Sequence, residues 1–255
     1  MDVLANYTTI KEAFRLVRIS EDNPELIEGP ALRALVRYYK ENGYTIAQKT
    51  DMIMANFLEN GRFQIGGRGK AMIVADSRAN AVRYFFAIKE YMKAHPNESR
   101  GCSAMVAFSG SVNVDGTEYT EEELNADING KPITTDKRFR REFRSERKNI
   151  LVVANKYQTG FDEPLLHSMY VDKRLKDVNA VQTLSRLNRV TKGKTSTLVL
   201  DFANTDEAIR ESFQPFYETT LWTAGQISTA CMIFVPRSNR SCSTTATMWK
   251  NTMRL

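Results

Sequence analysis

AMIVADSRANAVRYFFAI, residues 71–88, is the stretch of sequence that decides the fold. Its first five residues are an uninterrupted apolar run of the length of one buried strand. Ser77 follows this run and offers a side-chain oxygen as the N-cap of a helix. The next apolar residues recur at helical spacing: Ala81, Tyr84, Phe85, Ile88 and Tyr91. A buried strand that runs straight into an amphipathic helix is half of a βαβ unit and predicts a parallel sheet.

Four more apolar segments fit the same scheme. They are 104–108 (AMVAF), 150–154 (ILVVA), a segment around 169–171 (MYV) and 197–200 (TLVL). The connections have the length expected between strands and helices, except 110–148, which is long and polar and contains the basic stretch KRFRREFR. The sequence therefore predicts an α/β fold with a three-layer parallel sheet over residues 65–221.

The segments that flank this region differ from it in pattern. Residues 1–64 are predicted to be a helical approach segment, with one helix over 46–57 and another after Pro30. Residues 222–255 lose both periodicities, are rich in Ser and Thr, and contain no acidic residue. We assign no secondary structure to this tail.

The net charge of +6 gives only a weak indication of a nucleic-acid partner, because the excess is unevenly placed. Arg237, Arg240, Lys250 and Arg254 contribute +4 within the last thirty residues, so the preceding 225 residues carry only +2. The body of the chain before these thirty residues is thus nearly balanced in charge.

The composition also excludes several classes of protein. Cys102, Cys231 and Cys242 show no CxxC spacing, and His95 and His167 are the only histidines, so no metal site or disulfide framework is predicted. No apolar run has the length of a membrane span and no secretory leader opens the chain, so we expect a cytoplasmic protein without a membrane partner.

The segment VNAVQTLSRLNR, residues 178–189, is the first candidate for a functional site. On a helical wheel, Gln182, Arg186 and Arg189 share one face, opposite an apolar face. Arginine suits phosphate recognition because its planar guanidinium can donate two hydrogen bonds at once and keeps its charge. The alternative is an ordinary amphipathic helix whose arginines are solvated.

The segment NKYQTGFDEP, residues 155–164, is the second candidate. It follows the 150–154 strand, and open α/β sheets bind ligands at the carboxyl ends of their strands. Gly160 permits close backbone approach, Thr159 supplies a hydroxyl, and Asp162 supplies a carboxylate that can orient an arginine or a ribose hydroxyl. The alternative is a polar turn with a routine glycine.

These segments resemble a known family. TGFDEP at 159–164 resembles motif V, and QTLSRLNR at 182–189 resembles motif VI, of superfamily 2 helicases and translocases. The sequence of these and three other segments is similar to the R (motor and nuclease) subunit of type I restriction endonucleases. The other segments are GKAMIVADSRANAVRYF from Gly69, VAFSG from Val106 and DVLANYTT near the start. The resemblance extends from about residue 2 to residue 220. It implies the second RecA-like lobe, the helicase C-terminal lobe, of a DNA translocase.

The resemblance implies a nucleotide site on this lobe. Arg186 and Arg189 would be the catalytic residues that reach the phosphates of ATP, with Arg189 as the arginine finger on the γ-phosphate. Gln182 would order that network. Gly160 and Asp162 would also bind ATP and, with the neighbouring threonine, couple it to the DNA backbone.

It also implies a set of residues that contact the phosphates of double-stranded DNA. Thr159 belongs to the loop already described, whereas Ser77, Arg78, Ser109 and Gly110 resemble the motif IV region and the strand that follows it.

Several parts of such an enzyme are not found in the sequence. No GxxxxGK[ST] phosphate loop occurs, and 66–71 (GGRGKA) lacks both its spacing and its final hydroxyl. A DEAH-type acidic box and a carboxylate-rich nuclease core are also not found. We therefore expect that the chain begins after the first motor lobe, that ATP with Mg²⁺ is bound mainly by that lobe, and that this chain alone neither hydrolyses ATP nor cuts DNA.

The family implies several partners. They would be the first motor lobe, the nuclease domain, and the methylation and specificity subunits of the restriction complex. In that assembly the lobe would couple ATP hydrolysis to translocation of duplex DNA before cleavage, as part of an ATP-dependent site-specific deoxyribonuclease.

Two rival functions remain open. One is a non-catalytic DNA-binding or regulatory module that keeps the fold. The other is a free-standing α/β enzyme with a dinucleotide site, disfavoured because no GxGxxG follows Val74.

The tail departs from the family pattern after about residue 220. A continuation such as LDRATD…YDF is expected there, and codon degeneracy permits one if the segment is read one nucleotide earlier. Our hypothesis is a frameshift near codon 221, and the alternative is a divergent natural extension.

Overall fold

The computed structural model describes residues 7–9, 43–127, 129–158 and 160–223, with side chains from 46 to 216 within these ranges. The predicted helix after Pro30 and the tail from residue 224 lie outside the described residues. Among the residues described, no helix is both long and apolar enough to cross a membrane.

A six-stranded parallel sheet is formed by β1 (Tyr7–Thr9), β2 (Lys70–Ala75), β3 (Ala104–Ala107), β6 (Ile150–Val153), β7 (Leu166–Asp172) and β8 (Leu198–Asp201). The order of the strands in the sheet is β1-β8-β7-β2-β6-β3. An antiparallel hairpin of β4 (Ser111–Val114) and β5 (Thr117–Thr120) follows β3.

Helices cover both faces of this sheet. They are α1 (Gly43–Glu59), α2 (Arg78–Ala94), α3 (Glu121–Leu124), α4 (Asp136–Arg144), α5 (Asp177–Leu184) and α6 (Asp206–Thr223). Short helical turns occupy Gly61–Phe63, Gln64–Gly67 and Ser185–Asn188.

Strand β2 is the centre of the fold because it is paired on both sides and buried along its whole length. Its side chains alternate between two cores, as in any strand. Met72 and Val74 pack with residues of α4, α5 and α6, whereas Ala71, Ile73 and Ala75 pack with residues of α1 and α2. The predicted α/β class with a three-layer parallel sheet is confirmed.

The N-terminal segment contributes both a helix and a strand. The helix predicted over 46–57 is observed as α1, and its Ile53 and Phe57 are buried in the same core as Tyr84 of α2. Strand β1 was not predicted; it pairs in parallel with β8, with Tyr7 opposite Val199.

The long polar connection 110–148 contains more structure than the sequence analysis predicted. It holds the hairpin, α3 and α4, and it supplies Asn125, whose side chain is buried beside the edge strand β3. The Val106 N–H donates to Asn125 Oδ1 at 3.0 Å, and Asn125 Nδ2 donates to the Val106 carbonyl at 2.7 Å. A single amide side chain therefore occupies the place of a further strand at the edge of the sheet.

Candidate functional site

The candidate residues meet at the carboxyl edge of the sheet. Because β2, β3 and β6 are parallel, the segments that follow them all leave from this edge. We call residues 108–110, after β3, the phosphate turn, and residues 155–162, after β6, the nucleotide loop, according to the ligands that the sequence resemblance predicts for them. The motif that resembles motif VI follows β7 through α5 and lies beside this loop.

The prediction that residues 178–189 form one continuous helix is wrong in its last turn. Helix α5 ends at Leu184, a 3₁₀ turn covers Ser185–Asn188, and Arg189 is extended with φ −66° and ψ 122°. The predicted apolar face is present, since Ala180, Leu184 and Leu187 are fully buried.

The buried Lys194 accounts for the end of this helical segment at Asn188. Lys194 Nζ donates to the carbonyls of Leu187 at 2.7 Å, Arg189 at 2.9 Å and Pro164 at 3.3 Å. These bonds satisfy carbonyls at the end of the helical segment, where a positive charge is favourable. Burial lowers the pKa of Lys194 to about 8.

Arg189 is oriented by the nucleotide loop. Its Nε lies 3.0 Å from Asp162 Oδ1, and about half of each side chain is exposed. The Asp162 carboxylate is therefore placed beside an arginine, and its predicted role in orienting that arginine stays a prediction. The two Nη atoms of Arg189 have no partner among the described residues and can donate to an anion.

Arg186 is the more enclosed of the two arginines. Its Nε donates to the Gln182 carbonyl at 3.1 Å, and its Nη1 donates to the Phe161 carbonyl at 3.3 Å. Burial and the nearby charge of Arg189 lower the pKa of the Arg186 guanidinium. The Gln182 side chain is exposed and makes no hydrogen bond within the described part of the chain, so its predicted ordering role stays a prediction.

Three successive carbonyls of the nucleotide loop each accept a hydrogen bond from a different arginine. Gly160 O accepts from Arg140 Nη1 at 3.1 Å, and Asp162 O accepts from Arg144 Nη2 at 3.1 Å, on either side of the Phe161 carbonyl bound by Arg186. Gly160 itself has φ +69°, a conformation that glycine adopts without strain.

Arg140 and Arg144 were not predicted to belong to the site. Both belong to α4, where the buried Phe139 and Phe143, four residues apart, form the apolar face. That spacing within the basic stretch 137–144 could have predicted an amphipathic helix. It could not have predicted which loop the arginines contact.

The residues predicted to contact DNA also lie together. Arg78 Nη1 donates to the Ser109 carbonyl at 3.0 Å, and a Cβ at Gly110 would lie 3.4 Å from the same Nη1. Ser77 caps α2 as predicted, since its Oγ accepts from the Asn80 N–H at 3.2 Å. Thr159 lies outside the described residues.

A second buried lysine, Lys70, bonds the C-terminal end of α4. Lys70 Nζ donates to the carbonyls of Phe143 at 2.6 Å, Lys148 at 2.7 Å and Ser145 at 2.8 Å. Burial lowers the pKa of Lys70 to about 8. The helix that contacts the nucleotide loop is thus held by the first residue of the central strand.

Comparison with known proteins finds similarity to subunits of type I restriction enzymes. Residues 131–204 match the family described as type I restriction enzyme subunit R domain 3. The chain is 27% identical over 155 residues to the MjaIXP endonuclease subunit and 30% identical over 147 residues to the MjaVIIP endonuclease subunit, both assigned to type I restriction enzymes in Methanocaldococcus jannaschii. It is 25% identical over 155 residues to the HindI endonuclease subunit of Haemophilus influenzae.

These matches cover much of this chain and little of the relatives. They span 58%, 56% and 59% of the chain, in the same order, but only 13%, 14% and 14% of the three subunits.

Proposed function

We propose that the chain, which is similar to the R subunits of type I restriction enzymes, is the second, helicase-like motor lobe of such a subunit. In this role it couples ATP hydrolysis to translocation of double-stranded DNA before cleavage. The observation that carries the proposal is the arrangement of Arg186 and Arg189 around the nucleotide loop at the carboxyl edge of a parallel sheet.

Arg189 suits the role of an arginine finger. The Asp162 carboxylate lies beside its Nε, and both Nη atoms remain available for the γ-phosphate of ATP. An arginine that is oriented before the reaction stabilises developing negative charge without reorganisation in the transition state. Arg186, held through two backbone carbonyls, would contribute a second positive charge beside it.

ATP with Mg²⁺ would be bound mainly by the first lobe. When bound, the Mg²⁺-nucleotide supplies the phosphoryl group that is transferred to water, and Gln182, Gly160 and Asp162 would complete its site from this side. We therefore propose that the chain alone has no ATPase or nuclease activity, and that it works in the cytoplasm with the nuclease domain and the methylation and specificity subunits.

The phosphate turn would hold the DNA backbone. Arg78 lies at the start of α2, is exposed, and already bonds the turn, and the positive end of a helix also favours an anion. Phosphate contacts of this kind fix the position of a duplex without reading its sequence. Recognition of a DNA site would then belong to another subunit.

A direct test begins with the locus that encodes the chain. We expect an upstream reading frame that carries a phosphate loop and a nuclease core. The complete motor reconstituted from it should show DNA-stimulated ATP hydrolysis, whereas the 255-residue chain should show none. DNA binding by the chain without any such upstream frame would favour the regulatory module instead.

A further inference from the structure

We propose that Glu121 is a positioning residue that transmits DNA binding at the phosphate turn to the nucleotide loop. This inference rests on the proposed function, because it assumes that the turn contacts DNA and that the loop contacts nucleotide. It assigns a role to the 110–148 connection that neither the motifs nor the comparisons give.

The carboxylate of Glu121 bonds both segments at once. Its Oε2 accepts from the Phe108 N–H at 2.9 Å, at the first residue of the phosphate turn. Its Oε1 accepts from Lys156 Nζ at 2.7 Å, at the second residue of the nucleotide loop. The side chains of Glu121 and Lys156 are 13% and 26% exposed, so solvent screens this ion pair only partly.

The nucleotide loop is tied to the same connection at a second point. The Tyr157 hydroxyl donates to the Asp136 carboxylate, which also accepts from Arg140 Nε at 2.8 Å. Arg140 in turn donates to the Gly160 carbonyl. The 110–148 connection therefore contacts the loop from its start to the residues that orient Arg189.

The backbone of the loop needs such support. Tyr157 has a φ of +65°, a conformation that a bulky residue rarely adopts, and Asn155, next but one before it, has a φ of +62°. A strained backbone persists only where its surroundings hold it in place. The bonds from Lys156 and Tyr157 to the carboxylates of the connection provide that constraint, so a change at Glu121 alters the loop.

Both bonds of Glu121 change together when the turn moves. A phosphate that draws the Ser109–Gly110 backbone towards itself also displaces the Phe108 N–H. The Glu121 carboxylate, which accepts from this N–H, then either moves with it or loses the hydrogen bond. Because bonds to an ionised group are strong, the displacement reaches Lys156. DNA binding would thereby alter the segment that carries Asp162, and with it the position of Arg189.

The experiment uses the full chain labelled with ¹⁵N and titrated with a short mixed-sequence DNA duplex at low salt. In the wild-type chain we expect amide shifts at Ser109 and Gly110 together with shifts at Gly160 and Asp162. In Glu121→Gln the shifts at the turn should remain, and those at the loop should fall to the background level. Glu122→Gln, in the same turn of α3 but exposed, is the matched control and should retain both sets.

The other half of the link gives an independent test. Lys156→Met should abolish the amide shifts in the nucleotide loop, as Glu121→Gln does, whereas Lys156→Arg should retain them. The double variant Glu121→Gln with Lys156→Met should show no further loss beyond that of either single variant. A role in folding alone predicts instead that Lys156→Met loses the native spectrum before any DNA is added.

Each remaining outcome decides against one proposal. Loop shifts that persist in Glu121→Gln while the duplex is bound would overturn the link and leave the motor function standing. Loss of the native spectrum in both Glu121→Gln and Lys156→Met would show that the pair serves folding, and would also overturn the link. An absence of shifts at the turn in the wild-type chain would overturn the proposed DNA contact itself.

Discussion

Arg189 and Asp162 form an ion pair with Nε and Oδ1 3.0 Å apart, although 27 positions separate them in the chain. Their surface exposure means that the pair contributes little to stability. Its value lies in placement, because the carboxylate lies beside Nε while both Nη atoms are available to an anion. The pair thus joins the two motifs that the sequence analysis singled out.

Replacing Arg189 should stop ATP turnover without unfolding the lobe. In the complete motor, Arg189→Ala should lower the rate of hydrolysis by about 10³–10⁵-fold, the range found for arginine fingers. Arg189→Lys should recover little of it, because an ammonium group cannot donate in the planar arrangement of a guanidinium. Lys192→Ala, at a nearby exposed position, is the control. Near-normal hydrolysis in Arg189→Ala would transfer the role to Arg186.

Asp162 should matter for the same step but through Arg189. Asp162→Asn keeps the size of the side chain and removes its charge, so the guanidinium loses its fixed orientation. We expect slower ATP turnover at saturating ATP, with duplex affinity unchanged. Steady-state kinetics and fluorescence anisotropy measure the two quantities on the same protein. An Asp162→Asn motor that hydrolyses ATP at the wild-type rate would contradict this role.

Asn125 should be important for stability because it completes the edge of the sheet. Asn125→Leu leaves the buried N–H and carbonyl of Val106 without partners, at a cost of about 2–4 kcal/mol in the free energy of unfolding. Urea denaturation gives this value directly. Asn97→Leu, at an exposed position, should stay within about 0.5 kcal/mol of the wild type. An unfolding free energy unchanged in Asn125→Leu would show that water replaces the lost bonds.

Local patterns predicted the central features of the fold. The apolar run at 71–75, the cap at Ser77 and the buried face of Ala180 and Leu184 each depend on residues close together in the chain, and each is observed. Periodicity reports such features because it follows from the geometry of one element.

The contacts that complete the site could not be predicted in this way. Glu121 meets Lys156 across 35 positions, and Arg140 meets Gly160 across 20. Arg189 left the helical pattern because Lys194 is buried beneath it, which depends on tertiary packing. The same holds for β1, which pairs with a strand at the other end of the chain.

Acid should destabilise the lobe through His167. This side chain is buried, with Nδ1 2.9 Å from Ser168 Oγ, and burial lowers its pKa from 6.5 to about 4. Between these values the unfolded chain binds more protons than the folded one, so the free energy of unfolding falls as the pH drops from 6.5 to 4. The full effect is roughly 3 kcal/mol.

His167→Gln removes this titration while keeping a polar side chain. The pH dependence of urea denaturation should therefore be flatter in His167→Gln than in the wild type over that window. His95→Gln is the control and should retain the wild-type slope, since His167 is intact. Equal slopes in wild type and His167→Gln would place the acid sensitivity at other groups.

Duplex binding should depend steeply on salt and should lose one phosphate contact when Arg78 is replaced. Each neutralised phosphate releases counterions, so the logarithm of the affinity falls linearly with the logarithm of the salt concentration. Arg78→Ala should weaken binding to all sequences alike and reduce this slope by about one. Lys93→Ala, in the last turn of the same helix and paired with Glu90, is the control. A variant in which the four basic residues of the tail are neutralised measures the contribution of residues 222–255 to binding. If this variant no longer binds the duplex at low salt while Arg78→Ala binds like the wild type, the tail binds the duplex and the phosphate turn does not.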